Sequence, residues 1–209
     1  MGAAPSRRLI VNADDFGRDA AANEAIIEAH RRGILTCASL MVNEPAAAAA
    51  VELARRNPAL GVGLHLTLLC GHGALSPEEA PLLVDSAGRL SANPAKAGML
   101  YFFSRAAREE LKREIAAQFR KFKETGLPLD HVNGHLHIHL HPVVADILLE
   151  HAQEWGVGAI RWSRDLFWLS WKLGRGPLFY RASHALIFNL LSLRVKRRFR
   201  KMGIRHTPR

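Results

Sequence analysis

The densest chemistry in the sequence is the stretch Asp130-His131-Val132-Asn133-Gly134-His135-Leu136-His137-Ile138-His139-Leu140-His141-Pro142. Four histidines, His135, His137, His139 and His141, alternate with three aliphatics. A strand turns successive side chains to opposite faces, so the alternation predicts one face of imidazoles and one of aliphatics. Burying imidazoles side by side is costly without partners, and imidazole is a common ligand of divalent metals. Two histidines at i and i+2 can reach one ion. The spacing leaves open which two or three of the four would do so.

Two further motifs supply donors. Asn12-Ala13-Asp14-Asp15-Phe16-Gly17 sets adjacent carboxylates after a short apolar run. Neighbouring acids repel unless a cation or proton compensates, so one can hold a metal while the other handles a proton. The plainer alternative is a solvated turn leading into a helix cap. Gly63-Leu64-His65-Leu66-Thr67-Leu68 carries one histidine in an apolar run; taken alone, it reads as a hydrogen-bonded core residue as readily as a ligand. Together the three motifs fit metal-assisted hydrolysis. A carboxylate takes the proton of the attacking water, and an imidazole returns one to the leaving amine. The sequence holds no serine elbow, Walker loop or GxGxxG after a strand.

These residues need elements that bring them to one rim. The pattern predicts strands at 8–13, 34–42, 61–68, 129–140 and 157–162. Helices are predicted from Asp19 as cap to about 30, over 45–56, over 105–125 and from Pro142 to about 155. Residues 70–104 show no clear period and read as a long insertion or lid. Strands alternating with helices imply a parallel α/β sheet, whose ligands bind at the carboxyl ends of the strands. Five such units do not close a barrel of eight. The expected division is a (β/α) catalytic core at 1–162 and a basic, aromatic-rich segment of the same domain at 163–209. Within that segment, 183–195 suits an amphipathic helix and 203–209 the start of another strand.

The formal net charge of the 209 residues is +10, and it is unevenly spread. Residues 1–160 hold 16 Lys or Arg against 18 Asp or Glu, whereas 161–209 hold 13 against a single acid, Asp165. That excludes a protein basic all over, such as a nucleic-acid coat. The tail reads as a solvated basic face, as an interfacial segment on anionic lipid, or as a phosphate patch at 194–201. No nucleic-acid motif accompanies it, so no specific nucleic-acid partner is expected. No apolar run reaches the length of a membrane span, and Asp14 and Asp15 arrive too early for a signal peptide. Cys37 and Cys70 lack metal-type spacing and read as small core residues in a reducing, cytoplasmic setting.

At these motifs the sequence resembles the YdjC-like family of carbohydrate deacetylases, the relatives of diacetylchitobiose deacetylase. The matching pieces run in order over 8–162: Leu9-Ile10-Val11-Asn12-Ala13-Asp14-Asp15-Phe16-Gly17, Gly63-Leu64-His65-Leu66-Thr67 and Asp130 to His139. Residues 33–42 and Tyr101-Phe102-Phe103 look closest to the hopanoid-associated branch, which implies removal of an N-acetyl group from a glucosaminyl hopanoid at the inner face of the membrane. The resemblance implies a (β/α) barrel of the glycoside hydrolase/deacetylase type, incomplete at the C-terminal end, because family members continue past the segment matching 203–208. It implies a divalent ion, usually Mg²⁺, with Zn²⁺ or Co²⁺ as alternatives. Carried over by position, Asp15, His65 and His135 would be metal ligands and Asp14 the general base. His137 and His139 would line the substrate pocket, one of them as the acid. The alternatives are a metal-dependent phosphoesterase or glycosidase, or a truncated barrel that binds metal or lipid without catalysis.

Overall fold

Short apolar runs and well-formed helix caps divide the chain into alternating strands and helices. The computed structural model describes residues 9–162 and 196–206. The strands are β1 (Asn12–Phe16), β2 (Cys37–Leu40), β3 (Gly61–Leu66), β4 (Val132–Gly134), β5 (Ala159–Ile160) and β6 (Arg205–His206). The helices are α1 (Ala20–Arg32), α2 (Ala47–Arg55), α3 (Pro94–Phe103), α4 (Arg105–Glu124) and α5 (Pro142–His151). The six strands form one parallel sheet in the order β1-β2-β3-β4-β5-β6. A doubly wound sheet reverses its order at a switch point; strictly sequential order is that of a barrel wall.

The local signals behave as their chemistry requires. Asp19 caps α1 by accepting a hydrogen bond from the Ala22 amide at 2.8 Å. Ser104 ends α3 and caps α4, accepting from the Ala107 amide. Leu111, Ile115, Phe119 and Phe122 give α4 its buried face. They pack with Leu40, Leu64, Leu66 and Val132 of the sheet in one continuous core.

Four expectations change. β1 lies at Asn12–Phe16 rather than 8–13, and Leu9 and Ile10 are exposed. The carboxylates therefore sit inside the strand, not after it. The strand expected over 129–140 ends at Gly134, because Leu136 (φ 49°) and His137 (φ 60°) take left-handed backbone and wind His135–Leu140 into a 3₁₀ turn. The insertion contains α3, capped by Asn93 with Pro94 in its first turn. Its apolar residues surround the helix, so no amphipathic period announced it. Cys70 is exposed, not core; Cys37 is buried.

Part of the basic segment is fastened to the body. Residues 196–201 are helical, Phe199 is fully buried, Arg198 pairs with Asp146, and the Lys196 ammonium sits 5.4 Å from the centre of the Trp162 ring. β6 appears where the final strand was expected. The helix expected at 183–195 lies outside the described residues. Among the described residues, no helix is long and apolar enough to cross a membrane.

One buried polar clamp holds the exit of β3. Gln118 on α4 donates to the Thr67 carbonyl at 2.7 Å and accepts from the Thr67 amide at 3.0 Å. Glu114 takes the other Gln118 proton at 2.7 Å and the Ala74 and Leu75 amides. Replacing Gln118 with Leu strands both Thr67 backbone groups. The expected loss is about 1–3 kcal/mol, read as a lower urea midpoint at unchanged slope. An unchanged midpoint would show that Thr67 is held by other means.

Candidate active site

The register of β1 against β2 jumps between Ala13 and Phe16: three steps on β1 oppose two on β2. This bulge includes Asp15, at φ 64°. Left-handed backbone is costly for most residues and least so for Asn and Asp. The bulge aims Asp15 at two histidines from other strands. Asp15 Oδ1 lies 2.9 Å from His135 Nδ1 and 3.2 Å from His65 Nε2. The two rings meet edge to face, 5.5 Å between centres. His65 is buried within β3, and His135 follows β4 directly.

Asn133, the register partner of His65 on β4, sets the proton on that histidine. Its Nδ2 donates to Ser39 Oγ at 2.7 Å and to Asp14 Oδ1 at 3.3 Å. The reverse amide orientation would press a carbonyl oxygen against a carboxylate. Asn133 Oδ1 therefore accepts from His65 Nδ1–H at 2.6 Å, leaving His65 Nε2 for the Asp15 side. Behind this pair, Ser39 Oγ also meets Asn12 Nδ2 at 3.1 Å and His131 Nε2 at 3.0 Å. His131 Nδ1 in turn meets Asp130 Oδ2 at 2.9 Å. Burial draws the His131 pKa below its ordinary value despite Asp130.

The two carboxylates differ in what surrounds them. Hydrogen bonds from His135 and His65 hold Asp15 far below the usual carboxylate range, against the cost of burial. Burial pushes Asp14 upward, but the Arg161 hydrogen bond and charge outweigh it, so its pKa also falls. Asp14 Oδ1 receives Arg161 at 2.5 Å and Asn12 Nδ2 at 2.8 Å in addition to Asn133.

Asp15, His65 and His135 each offer one ligand atom, and these lie within 4.8 Å of one another. Two ligands about 2.0–2.1 Å from an octahedral ion sit about 3 Å apart, so the observed 2.9 and 3.2 Å contacts fit a shared cation. Both imidazoles turn a nitrogen to one ionised oxygen, and His65 has its other nitrogen anchored. The donor set fits a divalent metal.

A family model for YdjC-like proteins matches residues 8–209. The chain belongs to the YdjC-like family. It is 44% identical over 152 residues to a carbohydrate deacetylase of Brevibacillus brevis, covering 72% of this chain and 57% of that protein. It is 37% identical over 147 residues to a chitooligosaccharide deacetylase of Proteus mirabilis, covering 70% and 55%. A crystal structure from Enterococcus faecalis V583, of a protein described as a candidate for cellobiose-phosphate cleavage, superposes with a TM-score of 0.64 at 33% identity. That match covers 75% of this chain and 59% of the other. The chain thus spans between half and two thirds of the length of these relatives.

In this YdjC-like chain the histidine-rich stretch does not present one row of ligands. The 3₁₀ turn separates His135 from its neighbours. His139 is fully buried and donates from Nε2 to the Arg161 carbonyl at 3.1 Å, so its side chain reaches no solvent from which to meet a substrate. His141 donates from Nε2 to the Gly98 carbonyl of α3 at 3.2 Å. His137 is only partly buried, with its ring centre 6.2 Å from that of His139. Motif and spacing alone assign no role to Ser39, Asn12, Asn133 or Arg161. The two-residue period places Ser39 on the face shared by Cys37, and Asn133 on that shared by His131. Arg161, just past β5, gave no sequence signal.

Two outcomes are expected. Burial, reinforced by the Arg161 charge, lowers the His139 pKa from 6.5 to about 3. An unfolded chain takes up this proton first, so the contribution of a neutral His139 is complete above pH 6.5 and is lost as pH falls toward 3. One such proton gives a slope of about 1.4 kcal/mol per pH unit. Denaturant midpoints measured between pH 7 and 5 should fall, and His139→Asn should flatten that fall; an equally steep decline in the variant would clear His139 of the effect. Separately, Asn133→Ala should weaken divalent-metal affinity by about 10–100-fold in calorimetric titration, as for other partners of ligating histidines. Unaltered affinity would mean that His65 needs no such anchor.

Proposed function

We propose that this chain is the catalytic part of a metal-dependent hydrolase that removes an N-acetyl group from an acetylated amino sugar. The observation that carries this is the convergence of Asp15 Oδ1, His65 Nε2 and His135 Nδ1 beside an ionised Asp14. The names of the Brevibacillus and Proteus relatives support the reaction class. Asp15, His65 and His135 would hold the ion, which when bound supplies a Lewis acid for the acetamide carbonyl and acidifies water. The resemblance implies Mg²⁺; two imidazoles among three donors suit Zn²⁺ or Co²⁺ as well.

The chain's own groups divide the remaining work. Asp15 is committed to two imidazoles and Arg18, so Asp14 is the carboxylate left for proton transfer. Three donors fix Asp14 through Oδ1, and Oδ2 takes the proton of the attacking water. Arg161 keeps Asp14 ionised until that proton arrives. Of the two histidines expected to line the pocket, His137 retains solvent access and would return the proton to the leaving amine. His139 braces the Arg161 backbone instead. A glucosaminyl hopanoid as substrate is supported by the resemblance of 33–42 and 101–103. It would set a cytoplasmic enzyme against the inner membrane face through 163–209.

The test is product analysis. Purified protein with Mg²⁺, Zn²⁺ or Co²⁺ should release acetate from N-acetylglucosamine, diacetylchitobiose or an acetylglucosaminyl lipid. Asp14→Asn should lower kcat by about 10²–10⁴-fold while metal affinity holds; His135→Ala should lose the metal. Release of phosphate or free sugar without acetate would favour the glycosidase or phosphoesterase reading, to which the description of the Enterococcus structure points.

A further inference from the structure

We propose that Cys37, Asp130 and His131 form a second metal site, built for a thiophilic divalent ion such as Zn²⁺. One ligand atom from each residue lies within 4.8 Å of the others. No ligand is shared with the Asp15 site, and this cluster alone of the two contains sulfur.

The cluster is a consequence of how β3 is built. Cys37 opens β2, and Asp130 and His131 lead into β4, so β3 runs between them. Gly61 of β3 is the register partner of Cys37. A Cβ at Gly61 would lie 3.1–3.3 Å from the Asp130 carboxylate. A Cβ at Gly63 would lie 2.6 Å from the His131 ring. Two positions without side chains therefore let residues beside β4 reach across β3 to the thiol of β2.

Thiolate, imidazole and carboxylate are the three donor types that bind Zn²⁺, and three of them leave a fourth tetrahedral position open. Ligand atoms around such an ion stand about 3–4 Å apart, and His131 Nδ1 already lies 2.9 Å from Asp130 Oδ2. Asp130 is free to adjust to the ion, since its side chain is 52% exposed, while Cys37 is buried and His131 nearly so. Two anionic ligands balance the charge of the ion.

The protons also balance. Uptake of the ion breaks the Cys37 S–H bond and releases that proton to solvent. His131 presents Nδ1 to the ion and carries its proton on Nε2, donating to Ser39 Oγ across the existing 3.0 Å contact. The Ser39 hydroxyl then donates to Asn12 Oδ1, already 3.2 Å away, and still accepts from Asn133. Each hydrogen bond needed in the loaded state has its partner in place.

Co²⁺ tests the site independently of activity, because thiolate ligation gives a near-ultraviolet charge-transfer band that the sulfur-free Asp15 site does not produce. Wild type should bind two Co²⁺ per chain and show the band. His135→Ala should keep it, and Cys37→Ser should abolish it. Asp130→Asn, which alters a half-exposed side chain and should preserve the fold, should weaken the band-forming affinity by at least about 10-fold. Absence of the band in wild type overturns the assignment, as does its survival in Cys37→Ser or unchanged affinity in Asp130→Asn. Acetate release by the same preparation has no bearing on either result.

Discussion

Neighbouring residues on a strand point to opposite faces, yet Asp14 and Asp15 both serve one rim. The bulge in β1 resolves this conflict, and the rest of the site depends on it. One extra residue, with Asp15 in left-handed backbone, restores to the interior a side chain that a regular strand would turn away. The carboxylate then meets His65 from β3 and His135 from the end of β4. Without the bulge, a regular strand would turn Asp15 away from the two imidazoles.

Putting so many polar groups between strands is tolerable only if each finds a partner, because an unpaired buried donor or acceptor costs about 1–3 kcal/mol. Ser39, Asn12 and Asn133 meet that requirement. They link Asp14 and His65 to one another and, through His131, to the exposed Asp130. The same satisfaction fixes tautomers, since each amide and hydroxyl in the chain of contacts restricts the next. Order at His65 is thus inherited from residues that touch no substrate.

Much of this was legible in residue order. The Asp19 cap, the α4 face and the alternation of strands with helices followed from local chemistry, and the three motifs fell on or beside β1, β3 and β4. The histidine alternation misled, because Leu136 and His137 adopt left-handed backbone, which a leucine rarely takes. Arg161 was invisible for another reason. Its partner is 147 positions away, and a lone arginine beside a two-residue strand carries no period. The Cys37 cluster was hidden likewise, since its members are adjacent only across the bare positions of β3.

The division of labour between the adjacent acids follows from their partners rather than their type. Both are held below the ordinary carboxylate range, but by different means. Asp15 is held by imidazoles, which can give up a proton and bind a cation in its place. Asp14 is held by a guanidinium, which cannot lose its proton at any working pH. A cation bound beside Asp15 would take the place of the imidazole hydrogen bonds, whereas a proton reaching Asp14 must compete with a guanidinium that keeps its charge. On the proposed mechanism, that asymmetry suits Asp15 to hold the metal. It suits Asp14, held ionised by Arg161, to be the carboxylate that takes a proton.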